Sequence, residues 1–226
     1  NTADSLIVGN FLGSNALAAV SSSGNLIYLM IGFFNGIALG AGVVIARYFG
    51  ARDQENVEKA VHTTVAFGIV ASIVLTIVGV FFAPQILVWM QTPANVMPES
   101  TEYFRVYFMG SAGFVMYNMF VGILQAVGDS KHPLYYLILS SIINVVLDIV
   151  FITVFDMGVG GAAFAPDISQ VVSAVLCMIQ LMRSKAEYRL NLRKIRFEWD
   201  IFKQVIQFGL PSGFQNSIIA IANVVV

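Results

Sequence analysis

Charge is what this sequence has least of. Of its 226 residues, 11% are Asp, Glu, Lys or Arg and 58% are hydrophobic, whereas an ordinary soluble domain has about 25% charged residues. No charged residue occurs between Lys59 and Glu99. A soluble protein of this size needs many charged residues on its surface, and 25 acids and bases are too few. The composition therefore excludes a soluble domain.

Other absences narrow the possible functions. The single cysteine, Cys177, cannot form an internal disulfide, and its apolar surroundings indicate a small core residue. The net charge of −1 provides no general basic field for nucleic acid. The sequence contains no HExxH, Walker or CxxC motif, and its apolar segments supply no nucleophile with a base and an orienting group. We therefore expect neither an enzyme nor a resident cofactor.

What the sequence does contain is a series of apolar runs of about 20 residues, the length that crosses a bilayer core of about 30 Å. Lipid offers no partners for open backbone groups, so the runs must be helices or strands of a closed barrel. Barrel strands have about 10 residues and alternate, whereas these runs are twice as long and do not. The sequence predicts an all-α transmembrane protein, a polytopic helical bundle. Its segments run to about Val20, then about 25–46, 60–82, 104–127, 134–155 and 161–182, with a seventh beginning near Val205.

The basic residues predict how the bundle is oriented. If the first helix runs outward, the inner loops are about 47–59, 128–133 and 183–203, and they hold eleven of the twelve Lys and Arg. Only Arg105 is then left near the outer face. The longest loop alternates cations with apolar residues, which is typical of an amphipathic strap on the inner membrane surface. A solvated linker explains the same pattern.

Two sets of glycines indicate close helix packing. Gly32, Gly36 and Gly40 are spaced by four residues in the second segment, as are Gly9 and Gly13 in the first. Small residues at this spacing let helix backbones approach closely.

Acidic residues inside apolar segments are the candidate functional groups, because an Asp at mid-helix costs about 2.5–3.5 kcal/mol on insertion scales. Asp4, Asp148 and Asp167 lie within or at the edges of the spans, and Asn144 shares a helix face with Asp148 four residues later. A carboxylate beside an amide oxygen suits Na⁺, whereas a desolvated carboxyl near a second one could hold a proton at neutral pH. Asp148 could also be a structural residue bonded to a neighbouring helix. Asn118 remains open between function and structure.

Several segments together resemble the multidrug and toxic compound extrusion (MATE) family. The stretch NTADSLIVGNFLGSNALAAV resembles its first helix, IARYFGARD the loop after the second, and LQAVGDSKHPLYY the loop between helices four and five. INVVLDIVFI resembles its fifth helix, GVGGAAFAPDISQ its sixth, and FGLPSGFQN the start of its seventh. The pieces occur in the family's order and spacing over the whole chain.

The resemblance implies twelve helices in two six-helix lobes related by a pseudo-two-fold axis. This chain would be the six-helix amino-terminal lobe at 1–182, a cytoplasmic basic linker at 183–203 and the start of helix seven at 204–226. The chain begins without an initiator Met and stops inside an apolar run. We therefore expect it to be a piece of a longer protein.

The resemblance also implies a secondary antiporter in the cell membrane that exports organic, often cationic, drugs in exchange for H⁺ or Na⁺, and a monomer when full length. Its ion-coupling residues, which would hold the metal ion if coupling uses Na⁺, match Asp4, Asn144 and Asp148. The implied partners are a small organic substrate, the coupling cation and the lipid bilayer. Two rival hypotheses are a lipid-linked oligosaccharide flippase, which needs several cations in its cavity, and a non-transporting scaffold or channel subunit.

The sequence departs from the family at Gln125, where an Arg is common, at Arg47, where a Gln is common, and at the ion site itself. A helix-six Thr usually completes the ion site, and here Pro166 followed by Asp167 takes its place. Because Pro is tolerated in a first helical turn and an acid there meets the positive end of the helix dipole, we expect the regular helix to begin at this point. The alternative is that Asp167 joins Asp4 and Asp148 as a third carboxylate, which would favour proton coupling.

Overall fold

A computed structural model describes residues 2–225, with side chains described for 4–24 and 26–219. The described chain consists of helices joined by short connections, except for a long connection after α8 that contains one 3₁₀ turn, Leu192–Lys194. The helices are α1 (Thr2–Phe11), α2 (Ser14–Gly50), α3 (Gln54–Phe81), α4 (Ala83–Trp89), α5 (Met97–Met109), α6 (Ser111–Ala126), α7 (Lys131–Thr153), α8 (Gly158–Arg183) and α9 (Trp199–Val225). The all-helical prediction is confirmed.

The boundary between the first two segments was predicted wrongly. We expected a break between Val20 and residue 25, but α2 runs unbroken from Ser14 for 37 residues. The break lies instead at Gly13, whose φ of 88° is in the left-handed region that glycine adopts without a steric penalty. Gly13 is therefore a turn residue and not the packing residue that its spacing from Gly9 indicated.

The fourth segment is not one straight helix from 104 to 127. It consists of α5 and α6, which meet at Gly110 at an angle of 46°. The helical part also begins earlier than predicted, at Met97, because Pro98 lies in the first turn, where its missing N–H costs nothing. Tyr103, just before the predicted start at about Phe104, therefore lies in the second turn of α5.

The start of the sixth segment was also predicted wrongly. Helix α8 begins at Gly158, which has a φ of 60°, so Pro166 and Asp167 lie well inside the helix. The small residues Gly160 and Gly161 let this early part pack closely on Glu102 and Phe151. Asp167 therefore does not cap a helix start.

Within the described residues, four helices are long and apolar enough to cross a membrane, namely α2, α3, α7 and α8, and the bent pair α5–α6 qualifies as a fifth span. Large apolar side chains point outward from them; Ile142 on α7 is 58% exposed, for example. Such faces are stable in lipid and not in water. The fold is that of a multi-pass membrane protein.

The predicted glycine packing on α2 is confirmed. A methyl group at Gly36 would overlap the backbone at Gly213 of α9, and one at Gly40 would overlap Gly209. One turn earlier, a methyl at Gly32 would come within 3.1 Å of the backbone at Asn216. The two helices therefore run backbone against backbone for a little over two turns, as small residues allow. We call this contact the glycine seam.

The connection between α8 and α9 is docked on the bundle. Leu190 is 1% exposed within the main core. His62 of α3 is buried and accepts a hydrogen bond from the Asn191 N–H at 3.2 Å, while its Nδ1 lies 2.7 Å from the Glu58 carbonyl. Lys194 pairs with the Glu58 carboxylate at 2.9 Å. Loops 47–59 and 183–203, both predicted to be inner, thus lie at the same end of the bundle.

The orientation in the membrane remains a prediction, and cysteine labelling tests it. Single cysteines in a Cys177-free background should react with an impermeant reagent outside intact cells at two positions, Asn95 and Asp156. They should stay unlabelled at Glu55, Lys131 and Asn191. All five side chains are exposed, so access depends on the side of the membrane alone. The opposite labelling pattern would show that the bundle is inverted.

Candidate functional site

A cavity of about 750 Å³ opens within the bundle, lined by residues of α1, α2, α5, α6, α7 and α8. Two of the predicted acids, Asp4 and Asp167, reach it from α1 and α8, and the predicted Asn118 reaches it from α6. A second space of about 410 Å³ shares Asn118 and Gln125 with it and extends along α2 to Ala46. A site of this size can hold a drug-sized molecule.

Asp148 lies directly behind this cavity, and it is fully buried. Its carboxyl group is joined to that of Asp4 by a side-chain hydrogen bond. The Asn144 amide lies one turn away, with Nδ2 at 3.4 Å from Asp148 Oδ2. The other oxygen, Oδ1, is buried and receives no hydrogen bond from an amide, hydroxyl or ring donor in the part of the chain that is described. The structure thus brings together the three residues that were predicted as one site.

Two tyrosines of α5 stand among the acids. Tyr103 and Tyr107 are one turn apart, with their rings stacked at a centroid distance of 6.2 Å. Tyr103 is within electrostatic reach of Asp4, Asp148 and Asp167, and Tyr107 within reach of Asp4 and Asp167. Neither tyrosine was predicted from the sequence as a site residue. The two tyrosines are four residues apart, so on a helix they lie on the same face. Pro98 marks the start of that helix, and the two features together were the sequence signal that could have identified them.

Asp167 occupies a separate place in the cavity wall. Its side chain is 9% exposed, and its carboxylate accepts a hydrogen bond from the backbone N–H of Gly110, at the break between α5 and α6. A methyl group at Gly110 would overlap this carboxylate. Gln170, one turn further along α8, also lines the cavity. In the structure, Asp167 takes no part in the contact between the Asp4 and Asp148 carboxyl groups.

Asn118 contributes an acceptor. Its Nδ2 donates to the Phe114 carbonyl of its own helix at 2.8 Å. The amide oxygen is then the group that Asn118 can offer to a molecule in the cavity. No backbone or side-chain contact joins Asn118 to the acid pair among the described hydrogen bonds, so the structure places it with the cavity and not with Asp148.

The charge of the cavity is of one sign. Asp4 and Asp167 line it, and no Lys, Arg or His is present among its described lining residues. The described residues also contain no group of three or more His, Cys, Asp and Glu that could hold a metal ion. Several rings, including Tyr28, Tyr103 and Tyr107, face the same space. This combination suits a positively charged organic molecule, because cations bind to both carboxylates and ring faces.

Comparison with known proteins identifies the family. The family model MatE matches residues 1–150. The probable multidrug resistance protein YoeA of Bacillus subtilis (strain 168) is 30% identical over 228 residues, which cover 98% of this chain and 49% of that protein. The chain thus spans about half the length of the curated relatives it matches.

Two solved structures show the same architecture. An inward-facing multidrug resistance MATE family transporter of the MOP superfamily superimposes with a TM-score of 0.89 at 29% identity, over 97% of this chain and 50% of that one. An outward-facing transporter of the same description gives a TM-score of 0.87 at 28% identity, over 96% and 48%. Sequence and fold agree over nearly the whole chain. The chain belongs to the MatE family, the family of the MATE multidrug transporters.

Proposed function

We propose that the complete transporter is a secondary antiporter that exports organic cations, drugs or toxins, across the cell membrane in exchange for H⁺. Residues 1–182 form its amino-terminal lobe, 183–203 the cytoplasmic linker, and 204–226 the first part of its second lobe. The observation that carries this proposal is the Asp4–Asp148 pair, because Asp148 is fully buried while Asp4 also lines the cavity. One residue thus belongs to both the ion site and the substrate cavity.

The contact between the two carboxyl groups supports a proton over Na⁺ as the coupling ion. Two buried carboxyl groups in contact repel each other when both are ionised, and a shared proton removes that repulsion. Hard cations such as Na⁺ prefer several oxygen ligands, and Asn144 presents an N–H to Asp148 in the assigned orientation of its amide. Asp4, Asn144 and Asp148 would hold Na⁺ only after that amide had turned.

The cavity supports an organic cation as the exported molecule. Its volume of about 750 Å³ is in the range of drug sites. Aromatic rings in its wall provide apolar area and cation–π contacts, and Asp4 provides a countercharge. A flippase for lipid-linked oligosaccharides would need cations for the pyrophosphate, and the described lining residues include none. The same wall therefore disfavours the flippase.

Exchange follows if proton and drug compete for Asp4. A ligand shifts the balance between inward- and outward-facing forms only by its different affinity for the two. When Asp4 shares a proton with Asp148, its charge is unavailable to a cation in the cavity. When the proton leaves, the pair carries two negative charges, and a cationic drug is attracted. Binding of one ligand therefore favours release of the other.

The decisive experiment reconstitutes the full-length protein in liposomes and applies pH and Na⁺ gradients separately. A fluorescent organic cation should be transported when a pH gradient is imposed, and addition of the cation should drive a counterflow of protons. A Na⁺ gradient without a pH gradient should give no transport above that of empty liposomes. Transport that follows only the Na⁺ gradient would disprove proton coupling, and transport without either gradient would disprove antiport.

A further inference from the structure

Asp167 has no role in the proton exchange described above, although it is buried in the wall of the same cavity. Its exposed fraction is 9%, and burying a charged group without a partner is unfavourable. Gly110 provides one hydrogen bond through its N–H. The Gly110 N–H is shared, since it also lies 3.4 Å from the Val106 carbonyl. A single shared donor leaves most of the hydrogen-bonding capacity of a carboxylate available.

Gly110 fixes the direction of this carboxylate. The 46° bend between α5 and α6 lies at Gly110, where α5 ends and α6 begins. Absence of a side chain at Gly110 lets the Asp167 carboxylate lie against the backbone. The neighbouring Gly113 allows α6 to touch α8 at Val171, one turn further on. The carboxylate is thus packed against the break between α5 and α6, in the cavity wall.

A second acceptor lies one helical turn from Asp167. The Oε1 atom of Gln170 is buried and receives no hydrogen bond in the described part of the structure, although the residue lines the cavity. A buried acceptor without a donor is costly. A turn of the Gln170 side chain would bring this oxygen to the cavity surface, where an N–H group of a bound molecule would satisfy it. Asp167 and Gln170 together therefore offer a negative charge and a neutral acceptor, three residues apart on one face of α8.

The cavity consequently holds negative charge at two places. Asp4 provides one place, together with Asp148 behind it, and Asp167 provides the other. Tyr103 also lines the cavity, within electrostatic reach of all three acids. Since no cation lines the described wall, the positive charge that balances them comes from protons or from a bound ligand.

We infer that Asp167 and Gln170 form a second cation subsite, and that this transporter prefers dications whose second charged end carries N–H donors, such as an amidinium or a primary ammonium. The first charged end occupies the region of Asp4, and the rings of Tyr103 and Tyr107 contact the part between the ends. A quaternary ammonium end cannot donate to Gln170 Oε1 and binds less well. The inference rests on the proposed export of organic cations and specifies which of them bind best.

Equilibrium binding to the purified full-length protein tests the inference. The dissociation constants are measured for an aromatic bis-amidine and for the mono-amidine of the same scaffold, and their ratio is compared between variants. The wild type should bind the bis-amidine more tightly. Asp167→Asn should reduce that preference by about tenfold, which corresponds to about 1.4 kcal/mol. Asp156→Asn removes an exposed negative charge outside the cavity and should leave the ratio unchanged.

Asp167→Asn separates the charge from the structural role of this residue. An Asn oxygen still accepts from the Gly110 N–H, so the melting temperature should stay close to that of the wild type. A second pair of variants tests the neighbouring acceptor. Gln170→Leu should reduce the preference for the bis-amidine several-fold, and Gln170→Glu should increase it.

An unchanged ratio in Asp167→Asn, or equal binding of the two compounds by the wild type, would overturn the second subsite. Binding is measured without any gradient, so this outcome is independent of antiport. If both compounds bind with the expected ratio but neither is transported in liposomes, the proposed function fails and the subsite stands.

Discussion

Replacing Asp148 with Asn is expected to abolish proton-coupled efflux, reducing drug transport to the rate of empty liposomes. The substitution keeps the shape of the side chain and removes only its ionisation. An amide cannot share a proton with Asp4 in the way that a carboxyl does, so the pair can no longer alternate between its two protonation states. Asp4→Asn should have the same effect for the same reason. Transport is measured in the reconstituted full-length protein under an imposed pH gradient.

The control separates loss of coupling from loss of folding. Asp148 is fully buried, and a neutral amide is less costly to bury than a carboxylate. Membrane insertion and melting temperature should therefore be at least as high as in the wild type. Asp156→Asn, an exposed acid at the end of α7, serves as the matched variant and should transport normally. Cells carrying both Asp4→Asn and Asp148→Asn with wild-type drug resistance would show that these acids are structural.

The arrangement of site residues that are close together in the sequence was predictable, and the contacts between site residues on distant helices were not. Asn144 and Asp148 are four residues apart on a helix, and that spacing alone places them on one face. Asp4 is far from both along the chain, so its position beside Asp148 depends on how α1 packs against α7. Only the resemblance to the family connected them, and the structure places them in contact.

The errors arose where single residues bend or end a helix. Apolar content continues through Gly13 and Gly110, so hydropathy gives no sign of either break. At Gly13 a left-handed φ makes the break, and at Gly110 the Asp167 carboxylate occupies the space of a side chain. For Pro166 the expected helix start was wrong because the small residues after Gly158 already form helix. These are effects of tertiary packing and backbone conformation that composition does not record.

The structure of the linker was only partly predictable from its sequence, for the same reason. Its alternating cations and apolar residues fitted both a membrane strap and a solvated loop. In the structure Leu190 is buried and the backbone at Asn191 bonds to His62, while Phe197 and Trp199 remain largely exposed. The pattern of the linker predicted an amphipathic segment, but one part of its apolar face packs on this protein itself. Which side chains do so depends on His62, a residue 129 positions away in the chain.

The glycine seam leads to the second large expected effect. Gly36→Ala should destabilise the protein by about 3 kcal/mol, near the upper end for overpacked sites. The added methyl group would overlap the backbone of α9 at Gly213, and a backbone cannot move aside as a flexible side chain can. The two helices would have to separate, and the contacts at Gly32 and Gly40 would loosen with them. We expect a lower melting temperature and less monodisperse protein in detergent.

Gly24→Ala on the same helix is the matched control. A methyl group there would come no closer than 3.9 Å to another residue, the ring of Tyr28, so the change only replaces a flexible residue by a better helix former. Its melting temperature should equal or exceed that of the wild type. A difference between the two variants therefore reports the seam and not helix propensity, because both place the same methyl group inside α2. If the Gly36→Ala and Gly24→Ala variants had the same melting temperature, α2 and α9 would not approach each other at Gly36, and the glycine spacing would have no packing role.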